Sequence, residues 1–407
     1  MKRFLFKTAY IIALAYLSVF TLVISGYAMM FGRSLFAFLL AVSLLLMFFI
    51  QGKTAKRRIP LLARLAFIAV PALISCRLSP FFIAPSSGSC ARAAAQSGVR
   101  AVLPMRGWDT SGVKVIGDDC RLVNPYDAVY SRQEDSLLVV AREGAYYVHF
   151  TGQGALCRRL PQTRAQRAAL APDGLSFIVP DYYNREIETI SARTGWVERS
   201  VDSGMSEKID ISVSGRDAFV LGERHAVIKF RADTEEARAF NLEKQTTRNL
   251  YSIAYAPELK RIFITNWWPG ALYAVDSGTM RVLRKKYLAP SLMKIVYDGR
   301  GLLYIASPVT SEILVADARK LRIVKRMRAG FGVRDLALDA AGGRIFAANY
   351  SAGTVDAIDL RSGRRLARYY AGPLVRGVEY DAAGGRVFAC SRCGVFEIKT
   401  GGRLKSG

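Results

Sequence analysis

VRDLALDAAGGRIFAANYSAGTVDAIDLRSGRRLARYYAG, residues 333–372, is followed two residues later by VRGVEYDAAGGRVFACSRCGVFEIKTGG, residues 375–402. The two stretches share a start, a DAAGGR core and an alternating apolar pattern, which is the signature of an internal repeat. Each reads as a run of short strands. In the first copy one strand ends over 335–339, a turn at 340–343 leads into 344–348, a second turn spans 349–353, and strands over 355–360 and 365–370 complete four. Gly and Asn occupy the turns because they tolerate the backbone angles that tight reversals need.

The residue that ends the first strand can be followed backward through the chain as Ser131, Pro172, Ser214, Ala256, Asp298, Asp339 and Asp381, at spacings of 41 or 42 residues. Seven four-stranded units of this length predict an all-β fold, a seven-bladed β-propeller. Each blade has two apolar faces, so the ring must close to cover them. The last repeat has room for only three strands. The segment 113–116 is the candidate for the missing one, a pairing that would lock the last blade to the first.

The segment 342–372, GGRIFAANYSAGTVDAIDLRSGRRLARYYAG, resembles the YVTN-type repeat of YncE-like and lactonase-like seven-bladed propellers. The likeness runs from about residue 124 to residue 401, good in the fourth, sixth and seventh repeats and poor in the second and third. It implies the propeller fold and an extracytoplasmic habit. Members of that family include binding proteins, proteins without an assigned role and some enzymes.

The N-terminal part belongs to another solvent. Its first 90 residues hold ten Lys or Arg and no Asp or Glu, leaving 48 basic against 33 acidic side chains for the remainder of a chain with net charge +25. Residues 8–32 and 34–52 are uncharged runs of 25 and 19 residues, each long enough to cross a hydrocarbon core that needs about 20 helical residues. A third, shorter run over 59–75 is interrupted by Arg64. The expected architecture is therefore two to three transmembrane α-helices within an anchor of residues 1–79, a linker over 80–111 rich in Pro, Ser, Gly and Ala, and the propeller over 112–407. A cleaved signal peptide shares the basic start and first apolar run, but two further apolar runs follow it directly. Lys2, Arg3 and Lys7, with Lys53, Lys56, Arg57 and Arg58 after a hairpin, mark the cytoplasmic side. Three crossings would place the propeller outside, in the periplasm of a bacterium whose inner membrane holds the multi-pass anchor. If the third run only lies in the interface, the propeller is inside instead.

In a propeller the first strand of each blade lines the channel, and the loops preceding it share a face with those between the second and third strands. Five residues before each anchor stand Tyr126, Arg167, Ile209, Tyr251, Met293, Arg334 and Arg376. Three arginines among tyrosines predict an anion-binding funnel, since guanidinium forks grip carboxylate or phosphate. The competing expectation is that they pair with Asp127, Asp210 and Asp335 at the next position. Those aspartates also raise a metal alternative for a hard cation, opposed by Lys294 in the same ring. Tyr182, Tyr183, Trp267, Trp268 and Tyr350 lie on loops of this face and read either as contacts for a partner or as loop cores.

Cys390 and Cys393 form a CxxC on a strand and turn, more suited to structural disulfides, with Cys120 or Cys157 as candidate partners, than to redox chemistry. Cys76 and Cys90 are a further candidate pair, and sequence does not choose among the connectivities. His149 and His225 have no metal-like spacing. No nucleophile elbow, phosphate loop or Ser/His/Asp arrangement is apparent in the residues. The expected function is a non-enzymatic binding or scaffold module, with no cofactor and no nucleic acid, for a protein partner or an anionic ligand at the outer face of the membrane. The alternative is a lactonase-like hydrolase at the channel mouth; oligomeric state is left open.

Overall fold

The computed structural model describes residues 87–400 except 112, 118–119, 142, 152–153, 232–233 and 235. The apolar runs 8–32, 34–52 and 59–75 and Cys76 lie outside the described residues; among those described, no helix is long and apolar enough to cross a membrane.

Seven four-stranded antiparallel sheets form the domain. Blades 1 to 6 are each continuous in sequence, beginning with inner strands Pro125–Ser131, Ala169–Leu170, Lys208–Ser214, Leu250–Ala256, Ile295–Tyr297 and Val333–Asp339. Every anchor residue ends its inner strand or follows it within two positions, so the repeat seen in sequence is the blade. The sixth blade shows why. In its second strand, Arg344–Asn349, Phe346 and Ala348 enter the core shared with blade 7, while Ile345 and Ala347 enter the core shared with blade 5. The two-residue period of a strand thus fills both faces. Seven apolar clusters result, one for each interface between neighbouring blades.

Polar turn chemistry reinforces the ring. Asp339 accepts the Gly342 amide at 2.7 Å and Arg344 Nε at 2.8 Å, and Arg344 Nη2 donates to the Tyr380 hydroxyl of blade 7 at 2.8 Å. Asp381, Gly384 and Arg386 repeat this arrangement, with Arg386 donating to the Tyr130 hydroxyl of blade 1. The DAAGGR signature is therefore an inter-blade clamp, and its last copy joins the two ends of the ring.

Ring closure differs from expectation. Blade 7 consists of Gly377–Asp381, Arg386–Ser391, Gly394–Lys399 and, as its outermost strand, Val99–Pro104. That strand, preceded by a helix at Ser87–Ala94, falls within the stretch read as linker. Residues 113–116 instead run beside its free edge: Val115 bridges Ala101 in parallel, and the Ile116 and Gly117 amides donate to the Ala101 and Val102 carbonyls at 3.1 and 2.9 Å. The physical reason is coverage. Every residue of Val99–Pro104 except Arg100 is buried, whereas 113–116 has apolar side chains only at Val113, Val115 and Ile116, around the charged Lys114, and suits an edge.

The cysteines pair across the same seam. Cys90 is bonded to Cys393 and Cys120 to Cys157, leaving Cys390 as a buried free thiol among the described residues. The CxxC is thus divided between a disulfide and a core position: Cys393 enters the core shared with blade 6 and Cys390 the core shared with blade 1. Gly372 is needed beside the first bridge: its φ is +90°, and a Cβ there would sit 2.7 Å from Cys393 Sγ.

Candidate functional site: a charged channel mouth

The inner strands carry a local irregularity that builds the mouth. Register slips between Pro125 and Asp127, Lys208 and Asp210, Leu250 and Ser252, and Val333 and Asp335 leave Tyr126, Ile209, Tyr251 and Arg334 without a cross-strand partner. A β-bulge re-aims the extra residue, and here these four residues line one cavity of about 840 Å³, together with Arg167 and Arg376. Met293, the remaining member of the expected ring, packs instead against the core between blades 5 and 6.

The three arginines part ways. Arg167, 8% exposed, is sunk in the channel, where Nη1 contacts Asp335 Oδ2 at 2.8 Å and Asp127 Oδ1 at 3.1 Å. Lys294 Nζ meets Asp210 Oδ1 at 2.9 Å. Arg167 and Lys294 line both the mouth and a smaller chamber of about 280 Å³, so their ion pairs form the floor between the two. Burial opposes charge on Arg167 and Lys294, but the facing aspartates outweigh it and raise both pKa values. Burial also pushes Asp127 up to about 6 despite Arg167.

This floor engages Asp127, Asp210 and Asp335, the residues of the metal alternative, with partners from the protein itself. Asp127 and Asp335 flank a guanidinium, and Asp210 accepts from Lys294, the Ser252 hydroxyl and the Ile253 amide. Asp335 also accepts the Val378 amide at 3.0 Å, so these carboxylates bind successive blades together. No three His, Cys, Asp or Glu side chains converge to hold a metal among the described residues.

Arg334 and Arg376 behave otherwise. Neither has a carboxylate partner among the described residues. Arg334 lies over Tyr350 and Tyr251, 5.2 and 5.9 Å from the ring centroids, and its Nε is buried without an acceptor. Arg376 lies 4.6 Å from the Tyr126 centroid and donates to Asn124 Oδ1 at 3.2 Å. Burial lowers the pKa of Arg376, and repulsion from Arg334 and Arg392 adds to it. Two neighbouring guanidiniums held on tyrosine faces form a site of unbalanced positive charge.

The chain matches no family model and no curated protein.

Among the loop aromatics, Trp267 lines the cavity, while Trp268, 58% exposed, stands outside its lining. Gly270 shapes that loop, with φ +79° and a Cβ position 1.7 Å from the Ala289 carbonyl oxygen. Tyr182 and Tyr183 pack edge to face at 5.0 Å beside Tyr126 in a side pocket, and Tyr182 donates to Glu223 Oε1 at 2.8 Å. The structure therefore brings together Arg334, Arg376, Tyr126, Tyr251 and Tyr350, sets Arg167 below them and Tyr182 to one side.

Sequence reasoning did not find the opposite wall, where Glu207, Glu223, Glu243 and His225 line the same cavity. These come from loops around blade 3, where the repeat pattern is weakest. A count of loop positions on the mouth face, applied to acids as it was to arginines, would have reached Glu223.

Proposed function

We propose that this chain is a non-enzymatic, membrane-anchored binding module, whose propeller mouth receives an anionic group of a ligand or protein partner at the outer face of the bacterial cytoplasmic membrane. The observation that carries the reading is the state of Arg334 and Arg376: two adjacent guanidiniums line a concave cavity, and neither is neutralised by a carboxylate among the described residues. Low-dielectric walls focus such a field toward an entering anion, and the tyrosine faces limit the conformations the guanidiniums can adopt before binding. The apolar runs over 8–32, 34–52 and 59–75 supply the anchor in this reading. Two disulfides support the outward placement of the propeller, because such bonds persist in oxidising compartments. The DAAGGR repeat supports kinship with YVTN-type, YncE-like propellers.

Binding of phenylacetate and phenyl phosphate to the full chain in detergent, followed by Trp fluorescence, tests the reading. Saturable binding that falls at least tenfold in Arg334→Ala/Arg376→Ala is expected. Equal binding by wild type and double variant would reject the mouth as an anion site.

A further inference from the structure

The acids of the mouth gather on the side of the channel opposite Arg334 and Arg376. Arg334 belongs to blade 6 and Arg376 to blade 7, and in a ring of seven the blade opposite this pair is blade 3. Three acids come from its surroundings: Glu207 precedes its inner strand Lys208–Ser214, Glu223 follows its second strand Asp217–Gly222, and Glu243 follows its last strand Glu236–Asn241. All three line the cavity that holds the arginine pair.

Their partners leave negative charge over. Arg224 pairs with Glu207 at 2.8 Å, and Glu223 accepts only the neutral Tyr182 hydroxyl among the described residues. Glu243 has no ion-pair partner among them either. Arg248, on the segment entering blade 4, lines the same cavity, so the three acids exceed the two nearby arginines by one charge. Below, the floor pairs are largely self-compensating, so they do not blur the contrast between the walls.

We infer that the mouth recognises a ligand carrying both signs of charge, a short peptide-like zwitterion whose carboxylate sits on Arg334 and Arg376 and whose ammonium faces Glu223 and Glu243. The inference rests on the anion-binding reading above and adds the second pole. A field running from one wall to the other orients a dipolar ligand as it enters. Size points to more than one residue, since cavities of roughly 300–1,000 Å³ enclose ligands of drug size, and this one has about 840 Å³. Elsewhere on the lining, Gln166 and Asn249 offer amide groups to a peptide backbone, and Tyr251 and Trp267 offer flat apolar faces.

Calorimetric titration of the full chain in nanodiscs with oligoalanines from the tripeptide to the hexapeptide, each with free ends, N-acetylated or C-amidated, tests this. The free forms should bind best at one length, and either cap should lower affinity at least tenfold. Glu223→Gln/Glu243→Gln should abolish the penalty for acetylation while leaving that for amidation. Arg334→Ala/Arg376→Ala should do the reverse. Both double variants change side chains at the cavity wall rather than in the core, and an unchanged near-ultraviolet spectrum verifies their fold. If amidation alone weakens binding, the ammonium pole is wrong and the anion site stands. Failure of every free peptide to bind at up to about 10 mM overturns the zwitterion reading and leaves the anion site to the phenylacetate and phenyl phosphate titrations, whereas equal binding of all forms overturns both.

Discussion

Replacing Glu379 with Gln should flatten the pH dependence of stability. Glu379 lies on the inner strand of blade 7 and lines the small chamber beneath the ion-pair floor, with Asp127, Asp335 and Lys294. Burial, aided by the Asp127 and Asp335 charges, pushes its carboxyl from the ordinary 4.5 up to about 8. The folded protein therefore holds this proton more tightly than the unfolded chain. Its stabilising contribution is complete below pH 4.5 and is lost as pH rises through 8. At about 1.4 kcal/mol per pH unit, the loss between pH 5 and pH 8 has an upper bound of about 4 kcal/mol. Glu379 is only partly buried, and solvent screening in the chamber reduces this to about 2 kcal/mol. Asp127, held near 6, adds a loss of the same sign at lower pH. Urea titrations at unit intervals from pH 5 to pH 9 measure it. All four tryptophans, Trp108, Trp196, Trp267 and Trp268, belong to the propeller, so their fluorescence reports this domain in the full chain. Wild type and Glu379→Gln should diverge with rising pH, the variant becoming the more stable by about 2 kcal/mol at pH 8. Parallel curves would refute the placement of a protonated carboxyl in the chamber.

Arg167→Leu should destabilise the propeller by about 3–5 kcal/mol, because it leaves two buried aspartates without their counter-charge; adding Asp127→Asn and Asp335→Asn should recover part of that, read by the same titrations. Cys90→Ser should cost about 2–4 kcal/mol by releasing a link between residues 303 apart in sequence, and the wild type under reducing conditions, which also open Cys120–Cys157, should lose more. Tyr130→Phe should cost about 1–2 kcal/mol, since the lost hydroxyl joins Arg386 of blade 7 to Asp135 of blade 1. Alkaline phosphatase fused after Gly407 should be active in cells if the propeller is outside the membrane; an inactive but intact fusion would reverse the proposed orientation.

The repeat was legible because its causes are local. Turn residues and two-residue apolar alternation recur every 41 or 42 positions, and each blade but the last is formed by neighbours in sequence. The mouth position was legible for the same reason, since a fixed offset from the strand end reaches the bulged residue in blades 1, 3, 4 and 6. What could not be read was any contact between distant segments. Both 99–104 and 113–116 have strand character, and only the packing on Gly394–Lys399 selects the first. Arg167, Arg334 and Arg376 occupy equivalent positions; whether each finds an acid depends on what the neighbouring blade and the far side of the channel present to it, as Asp127 and Asp335 do to Arg167.

By itself, then, the sequence determined the number of blades, the strands of the six continuous ones and the offset at which bulged residues reach the channel in blades 1, 3, 4 and 6, because covalent spacing and side-chain periodicity act over a few residues. The tertiary structure alone decided which strand closes the ring, which cysteines meet and which arginines remain without a carboxylate. Those outcomes depend on distances between side chains that are far apart in the chain, and such distances exist only once the ring has closed.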